Sequence, residues 1–169
     1  MKCFKMEESH GFDDFREIVN RLRQECPWDR AQTLSSLEPC LLNETAEAVA
    51  GIHILEKTGN SANLCEELGD LLLLILLESR IAQEQGLFDL DDVIQGISRK
   101  MIRRHPHVFG TGYLDENGEL VRSWDAIKRL EKADRTVREL ELEKTEGRKA
   151  MEEICHYYGE KLTGESRDA

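Results

Sequence analysis

Two short stretches carry paired carboxylates three residues apart: Glu44 with Glu47 in LLNETAEAVAGI, and Glu67 with Asp70 in NLCEELGDLLLLILL. An α-helix turns ~100° per residue, so each pair lies on one helix face, about one turn apart. Two such helices side by side can aim four carboxylates into one small volume. Two like unit charges ~4 Å apart at an effective dielectric of ~20 repel by about 4 kcal/mol, against a net domain stability of ~5–15 kcal/mol. A cation must then sit among them. A hard divalent ion suits oxygen ligands, and Mg²⁺ in particular is held by a few carboxylates together with water and substrate phosphates.

Acidic helices produce the ExxE spacing by chance, and most Glu and Asp lie on solvated faces. Position argues for more here. Residues 71–77, LLLLILL, are apolar on every side, which predicts a buried helix, and Glu67 and Asp70 lie within the turn before it. Acids that near a core need a partner.

The elements that must hold these groups are helical. Phe12, Phe15, Val19 and Leu22 predict a first amphipathic helix over residues 12–25, ending before Pro27. CPWDRAQT, residues 26–33, reads as a loop with Trp28 as a plug over the core. A second helix is predicted over 36–55 with Leu37, Leu41, Thr45, Ala48 and Ile52 inward; Ala48 and Gly51 leave room for a close neighbour or a ligand. Thr-Gly-Asn-Ser at 58–61 marks a turn, and a third helix over 62–85 stops at Gly86. Asp89 can cap a fourth over 90–104 with Val93, Ile97 and Met101 inward. Asn117-Gly118 predicts a small hairpin or loose loop within 110–120. Ser123 can cap a fifth helix, SWDAIKRLEK, that sets Trp124 and Lys128 one turn apart. Beyond it a charged helix with Val137 and Leu140 is predicted to break near Gly147, with a disordered tail from Thr163.

The fourth helix ends in a dense basic cluster: Arg99, Lys100, Arg103 and Arg104, then His105 and His107 around Pro106. Cations at a helix C-terminus complement its dipole. In a chain of net charge −11, so local a cluster also suits an anion, and Lys100 and Arg104 at i,i+4 share a face for phosphate. The two histidines beside Pro106 are expected to brace the turn rather than bind metal, and His53 to lie on the helix surface.

The same net charge argues against nucleic-acid and membrane-surface binding, which select basic faces. A chain of 169 residues, 40% hydrophobic and 34% charged, is long enough for one compact domain with a real core. Five cysteines without a CxxC pair indicate neither a disulfide framework nor a zinc site, and read as reduced thiols in a cytosol. MKCFKMEESH lacks the apolar core of a signal peptide, and the longest apolar run, residues 71–77, falls far short of the ~20 needed to span a bilayer. A soluble, cytoplasmic protein is expected.

CPWDRAQT, the acidic pair in LLNETAEAV, EELGDLL, FDLDDVIQGISRKMIRRHPHVFG and SWDAIKRLEK, in this order and spacing, closely resemble the MazG family of nucleoside triphosphate pyrophosphohydrolases. The resemblance covers roughly residues 12–132. It implies an all-α fold, an antiparallel bundle of about five helices assembled as a homodimer or homotetramer. The family domain would span 1–132, with 133–169 a charged helical extension. It further implies Mg²⁺-dependent hydrolysis of a nucleoside triphosphate to the monophosphate and pyrophosphate, with Mn²⁺ as a substitute ion. Carried over residue by residue, Glu44, Glu47, Glu67 and Asp70 match the metal ligands, with Glu44 or Glu47 as the base. Lys100 and Arg104 match the phosphate-contacting cations, and Trp124 and Lys128 the late Trp and Lys that approach the nucleotide. Family members often have a Glu-Glu pair where this chain has Asn43-Glu44, which bears on rate and substrate choice.

Two other classes compete. A di-iron carboxylate bundle uses inward Glu and ExxH helices, and ExxH occurs at Glu7 to His10 and Glu153 to His156, both in terminal segments. A nucleotide-binding regulator would keep the fold with little turnover, and Asn43 is the residue that keeps that reading in play.

Overall fold

The computed structural model describes residues 10–133 and 135–163, all of whose regular secondary structure is helical. Eight helical segments occur among them: α1 Phe12–Glu25, α2 Pro27–Ala31, α3 Leu34–Thr58, α4 Ala62–Glu84, α5 Leu90–Arg104, α6 Pro106–Phe109, α7 Trp124–Lys132 and α8 Val137–Thr163. None of them is long and apolar enough to cross a membrane. The chain divides into two compact units, residues 1–96 and 97–169, with α5 running through the division.

In the first unit α3 and α4 pack against each other along their length as a helical hairpin, and α1 packs on α4 and α2. α3 begins where Thr33 and Ser36 cap each other: the Ser36 N–H donates to Thr33 Oγ1 at 3.1 Å and the Thr33 N–H to Ser36 Oγ at 2.9 Å. It ends at Gly59, whose φ of 74° is left-handed and costs glycine no steric clash. The hairpin crosses closely at Gly51, where a Cβ would lie 2.8 Å from Leu64 Cα. The small residues predicted to leave room for a neighbour or ligand therefore admit the neighbouring helix backbone. Val19, Leu37, Leu74, Leu76, Leu77 and Ile81 form the core between α1, α3 and α4. Arg23 ties three elements together, pairing with Glu84 at 2.9 Å and donating to the backbone carbonyls of Asp29 and Gln32.

Several expectations change. Residues 27–31 are a helical turn rather than loop, because Pro27 at its first position has φ preset for a helix and no N–H to lose. Trp28 is 57% exposed and plugs nothing; Asp29, which the sequence reading passed over, is the buried residue of that turn. On α3 one stripe of buried and half-buried residues runs through Leu37, Leu41, Glu44, Ala48 and Gly51, spaced four, three, four and three apart, with Leu34, Cys40, Leu42, Asn43, Ala46 and Leu55 half-buried around it. Thr45 and Ile52, predicted inward, sit one residue round from that stripe and are exposed. Val93 and Ile97 of α5 are likewise exposed, and so is Ile75 within the apolar run of α4.

In the second unit Ile127 and Pro106 are fully buried. The Ser123 side chain caps α7 as predicted, accepting from the Ala126 N–H at 3.4 Å. The hairpin of residues 110–120 is reduced to a single bridge between Leu114 and Leu120 around a turn that Asp115 holds, its carboxylate accepting from the Asn117 and Glu119 N–H groups at 2.9 Å each. α8 is unbroken at Gly147; one glycine costs a helix only ~1 kcal/mol. The tail predicted to be disordered falls, beyond Thr163, outside the described residues. Cys26, Cys40, Cys65 and Cys155 are free thiols, as expected.

Candidate functional site

The α3 stripe of core residues includes Glu44. The facing stripe of α4 reads Asn63, Glu67, Asp70, Leu74, Leu77 and Ile81, again in steps of four and three. The acids thus occupy positions that the helical period reserves for the interface, just before the apolar core begins. Glu44, Glu67 and Asp70 each offer a carboxylate oxygen, and these atoms lie within 4.8 Å of one another. Glu67 is only 7% exposed. Glu47 precedes Ala48 of the stripe, is exposed, and lies outside this group of three while remaining close enough to repel both Glu44 and Glu67. Of the four predicted ligands, the hairpin therefore brings three together and leaves Glu47 at their edge.

Burial pushes the Glu44 carboxyl above the ordinary carboxylate range, with the Glu47 and Asp70 charges adding to it and an Asn43 hydrogen bond opposing. Burial likewise raises Glu67, helped by Glu47, Glu66 and Asp70 and opposed by Asn63, whose Nδ2 donates to Glu67 Oε1 at 2.8 Å. Three hard oxygen donors crowded this closely suit a divalent cation. Mg²⁺ takes oxygen ligands at ~2.1 Å, and three carboxylate oxygens within 4.8 Å of one another are of the kind and closeness such an ion uses. The residues present fit such an ion.

The predicted cations and Trp124 belong to the second unit. Lys100 and Lys128 are exposed. Arg104 is half-buried: its guanidinium lies 4.9 Å from the centre of the Trp124 ring and pairs with Glu131 at 2.6 Å. Arg103 reaches the other Glu131 oxygen, also at 2.6 Å. Those hydrogen bonds, that of Arg104 foremost, hold the Glu131 carboxyl below its usual range. The His105 ring stands edge-on to Trp124 at 5.6 Å, and its Nδ1 lies 2.7 Å from the Met101 carbonyl oxygen. His105 thus braces the turn, and His53 is exposed, both as expected. Glu131 was missed; nothing in its spacing sets it apart from other charged residues of α7. Asn63 was missed as well, although its place four residues before Glu67 was visible.

Glu153 and His156 are exposed on α8, and Glu7 lies outside the described residues. The acids that converge, Glu44, Glu67 and Asp70, include no histidine, which removes the basis for a di-iron reading among the described residues.

An all-helical chain with a carboxylate cluster on a helical hairpin defines a class, and comparison with known proteins identifies it. Residues 32–109 match the MazG nucleotide pyrophosphohydrolase domain. It is 42% identical over 123 residues to the nucleoside triphosphate pyrophosphohydrolase/pyrophosphatase MazG of Thermotoga maritima, covering 72% of this chain and 45% of that protein. It is 37% identical over 126 residues to the nucleoside triphosphate pyrophosphohydrolase of Escherichia coli K12, covering 73% and 46% respectively. An uncharacterized Bacillus subtilis protein, YabN, is 41% identical over 125 residues, 73% of this chain and 25% of that one. The chain thus spans less than half the length of these relatives. The crystal structure of a mazG-related protein from Thermotoga maritima superposes with a TM-score of 0.54 at 29% identity, covering 69% of this chain and 98% of that one.

Proposed function

We propose that this chain hydrolyses nucleoside triphosphates to the monophosphate and pyrophosphate with Mg²⁺ as its ion, removing unwanted or excess nucleotides. The observation that carries this reading is the convergence of Glu44, Glu67 and Asp70 within the segment that matches the family. These three would hold the ion, which on binding supplies charge neutralisation for the phosphate oxygens and electrophilic activation. Glu47, exposed beside them and not needed as a ligand, accepts the proton of the attacking water. The water oxygen bonds to the α-phosphorus as the bond from that phosphorus to the bridging oxygen breaks, and pyrophosphate departs with the electron pair. Lys100, Arg104 and Lys128 carry the developing negative charge, and Trp124 stacks on the base or ribose. Glu131 keeps the Arg104 guanidinium beside the Trp124 ring for that purpose.

The active form in this proposal is a homodimer or homotetramer in the cytoplasm. Val49 and Ile52 of α3 and Leu68 and Ile75 of α4 are exposed in one copy, and a second copy would cover them. The test is a panel of ribo- and deoxyribonucleoside triphosphates incubated with Mg²⁺, followed by product analysis beside light scattering for mass. Equimolar monophosphate and pyrophosphate are expected, lost in Glu47→Gln. Binding without pyrophosphate release would instead make the chain a nucleotide-binding regulator, and orthophosphate as the first product would refute attack at the α-phosphorus.

A further inference from the structure

Asn63 opens the inward stripe of α4, four residues and about one turn before Glu67. Its Nδ2 donates to Glu67 Oε1 at 2.8 Å in a part-buried hydrogen bond. Its position is set from two sides. It is the second residue of α4, directly after the turn that joins α3 to α4. Its Oδ1 also faces α3, 3.2 Å from where a Cβ on Gly51 would stand, so α3 limits how far the amide can swing. The side chain it grips is nearly enclosed, since Glu67 is buried while Glu44 and Asp70 are only half-buried.

We infer that Asn63 is a positioning residue for metal binding, one that fixes Glu67 as a single-oxygen ligand. The inference rests on the ion site proposed above. The amide occupies one oxygen of the Glu67 carboxylate and leaves the other for the ion. A carboxylate so restrained is turned in advance, and presenting both oxygens to one ion would cost it that hydrogen bond. Small Mg²⁺ and Mn²⁺ take one oxygen from each carboxylate in an octahedron, whereas the larger Ca²⁺ accepts two. The hydrogen bond therefore acts on affinity and on ion choice together. Groups that orient metal ligands in this way typically change affinity by about 10- to 100-fold when removed.

The test uses the full chain, with Mn²⁺ binding followed by electron paramagnetic resonance and Ca²⁺ binding by calorimetry, alongside the melting temperature of the metal-free protein. Asn63→Ala should weaken Mn²⁺ by about 10-fold or more, weaken Ca²⁺ less, and so shift the Mn²⁺ to Ca²⁺ preference toward Ca²⁺. A purely structural role for Asn63 would lower the metal-free melting temperature and leave that preference in place. Asn63→Leu, similar in size and without a donor, stands in with the same thresholds if the alanine variant does not fold. Glu67→Gln separates the two levels of the argument. If it binds Mn²⁺ as the unaltered chain does, the ion site itself is wrong and the role of Asn63 falls with it. If Glu67→Gln loses Mn²⁺ while both Asn63 variants stay within twofold of the unaltered chain in affinity and ion preference, the site stands and the inference about Asn63 is overturned.

Discussion

Replacing Gly51 by alanine should destabilise the protein and disturb the acid cluster, although alanine is the better helix former. An added Cβ would lie 2.8 Å from Leu64 Cα and 3.0 Å from Leu64 N, both backbone atoms that cannot rotate away. Carbon atoms rest at ~3.5 Å or more, so the contact is short by ~0.7 Å and the two helices must part. Overpacking of this kind costs about 1–3 kcal/mol, and backbone against Cβ belongs at the upper end of that range. Alanine returns about 1 kcal/mol through helix propensity. The net is a loss of about 1–2 kcal/mol, or a fall of about 2–8 °C in melting temperature for a chain of this size. Gly147→Ala, in mid-helix with nothing within 4 Å of its added Cβ, is the control that should show no loss. Because Glu44 is on α3 while Glu67 and Asp70 are on α4, parting the helices should also weaken Mn²⁺ binding. Thermal melting of both variants, with and without Mn²⁺, measures this. A Gly51→Ala protein as stable as the parent, or more stable, would refute the close crossing and with it the stated reason that the three carboxylates meet.

Other expectations follow from the same geometry. Glu67→Gln should raise the melting temperature of the metal-free protein at neutral pH, because it removes a charge that burial and three other acids oppose, while abolishing the stabilisation that Mg²⁺ gives; a lower metal-free melting temperature would contradict this. Glu44 and Glu67 are both raised, so the stability they contribute is full below their ordinary pKa and is lost as pH rises through their raised values; saturating Mg²⁺ should oppose that loss in melts across the pH range. Glu131 has the opposite sign: it is lowered by Arg104 and Arg103, so its contribution is present above the ordinary carboxylate pKa and disappears as pH falls through the depressed value. Glu131→Gln should therefore flatten the acid limb of the stability profile. Thr33→Ala removes the acceptor for the Ser36 N–H at 3.1 Å and should cost about 1 kcal/mol in denaturant unfolding, with metal affinity unchanged.

Much of this protein is written in local pattern. The helix over 90–104 and its neighbours over 12–25 and 62–84 follow from periodicity, proline and glycine, because their caps and stops are set by residues a few positions away. The ExxE and ExxD pairs were legible for the same reason: three residues on one helix are always about one turn apart, whatever surrounds them. Which of the four acids meet was not legible. Glu44 and Glu67 lie on stripes that only the α3–α4 crossing makes into an interface, and Glu47 misses it by a single residue's rotation. The same rotation, small on a helical wheel, put Thr45 and Ile52 outside when a stripe one residue round had been expected inside. Sequence alone thus determined the helices and the kinds of chemistry their side chains could do, since both depend on spacing along one strand of backbone. The tertiary structure decided which carboxylates converge, that Asn63 grips Glu67 in the crossing, and that Glu131 holds Arg103 and Arg104. Those pairings depend on how far apart two helix axes lie and how each is turned, and here a glycine at position 51 lets the axes come close enough.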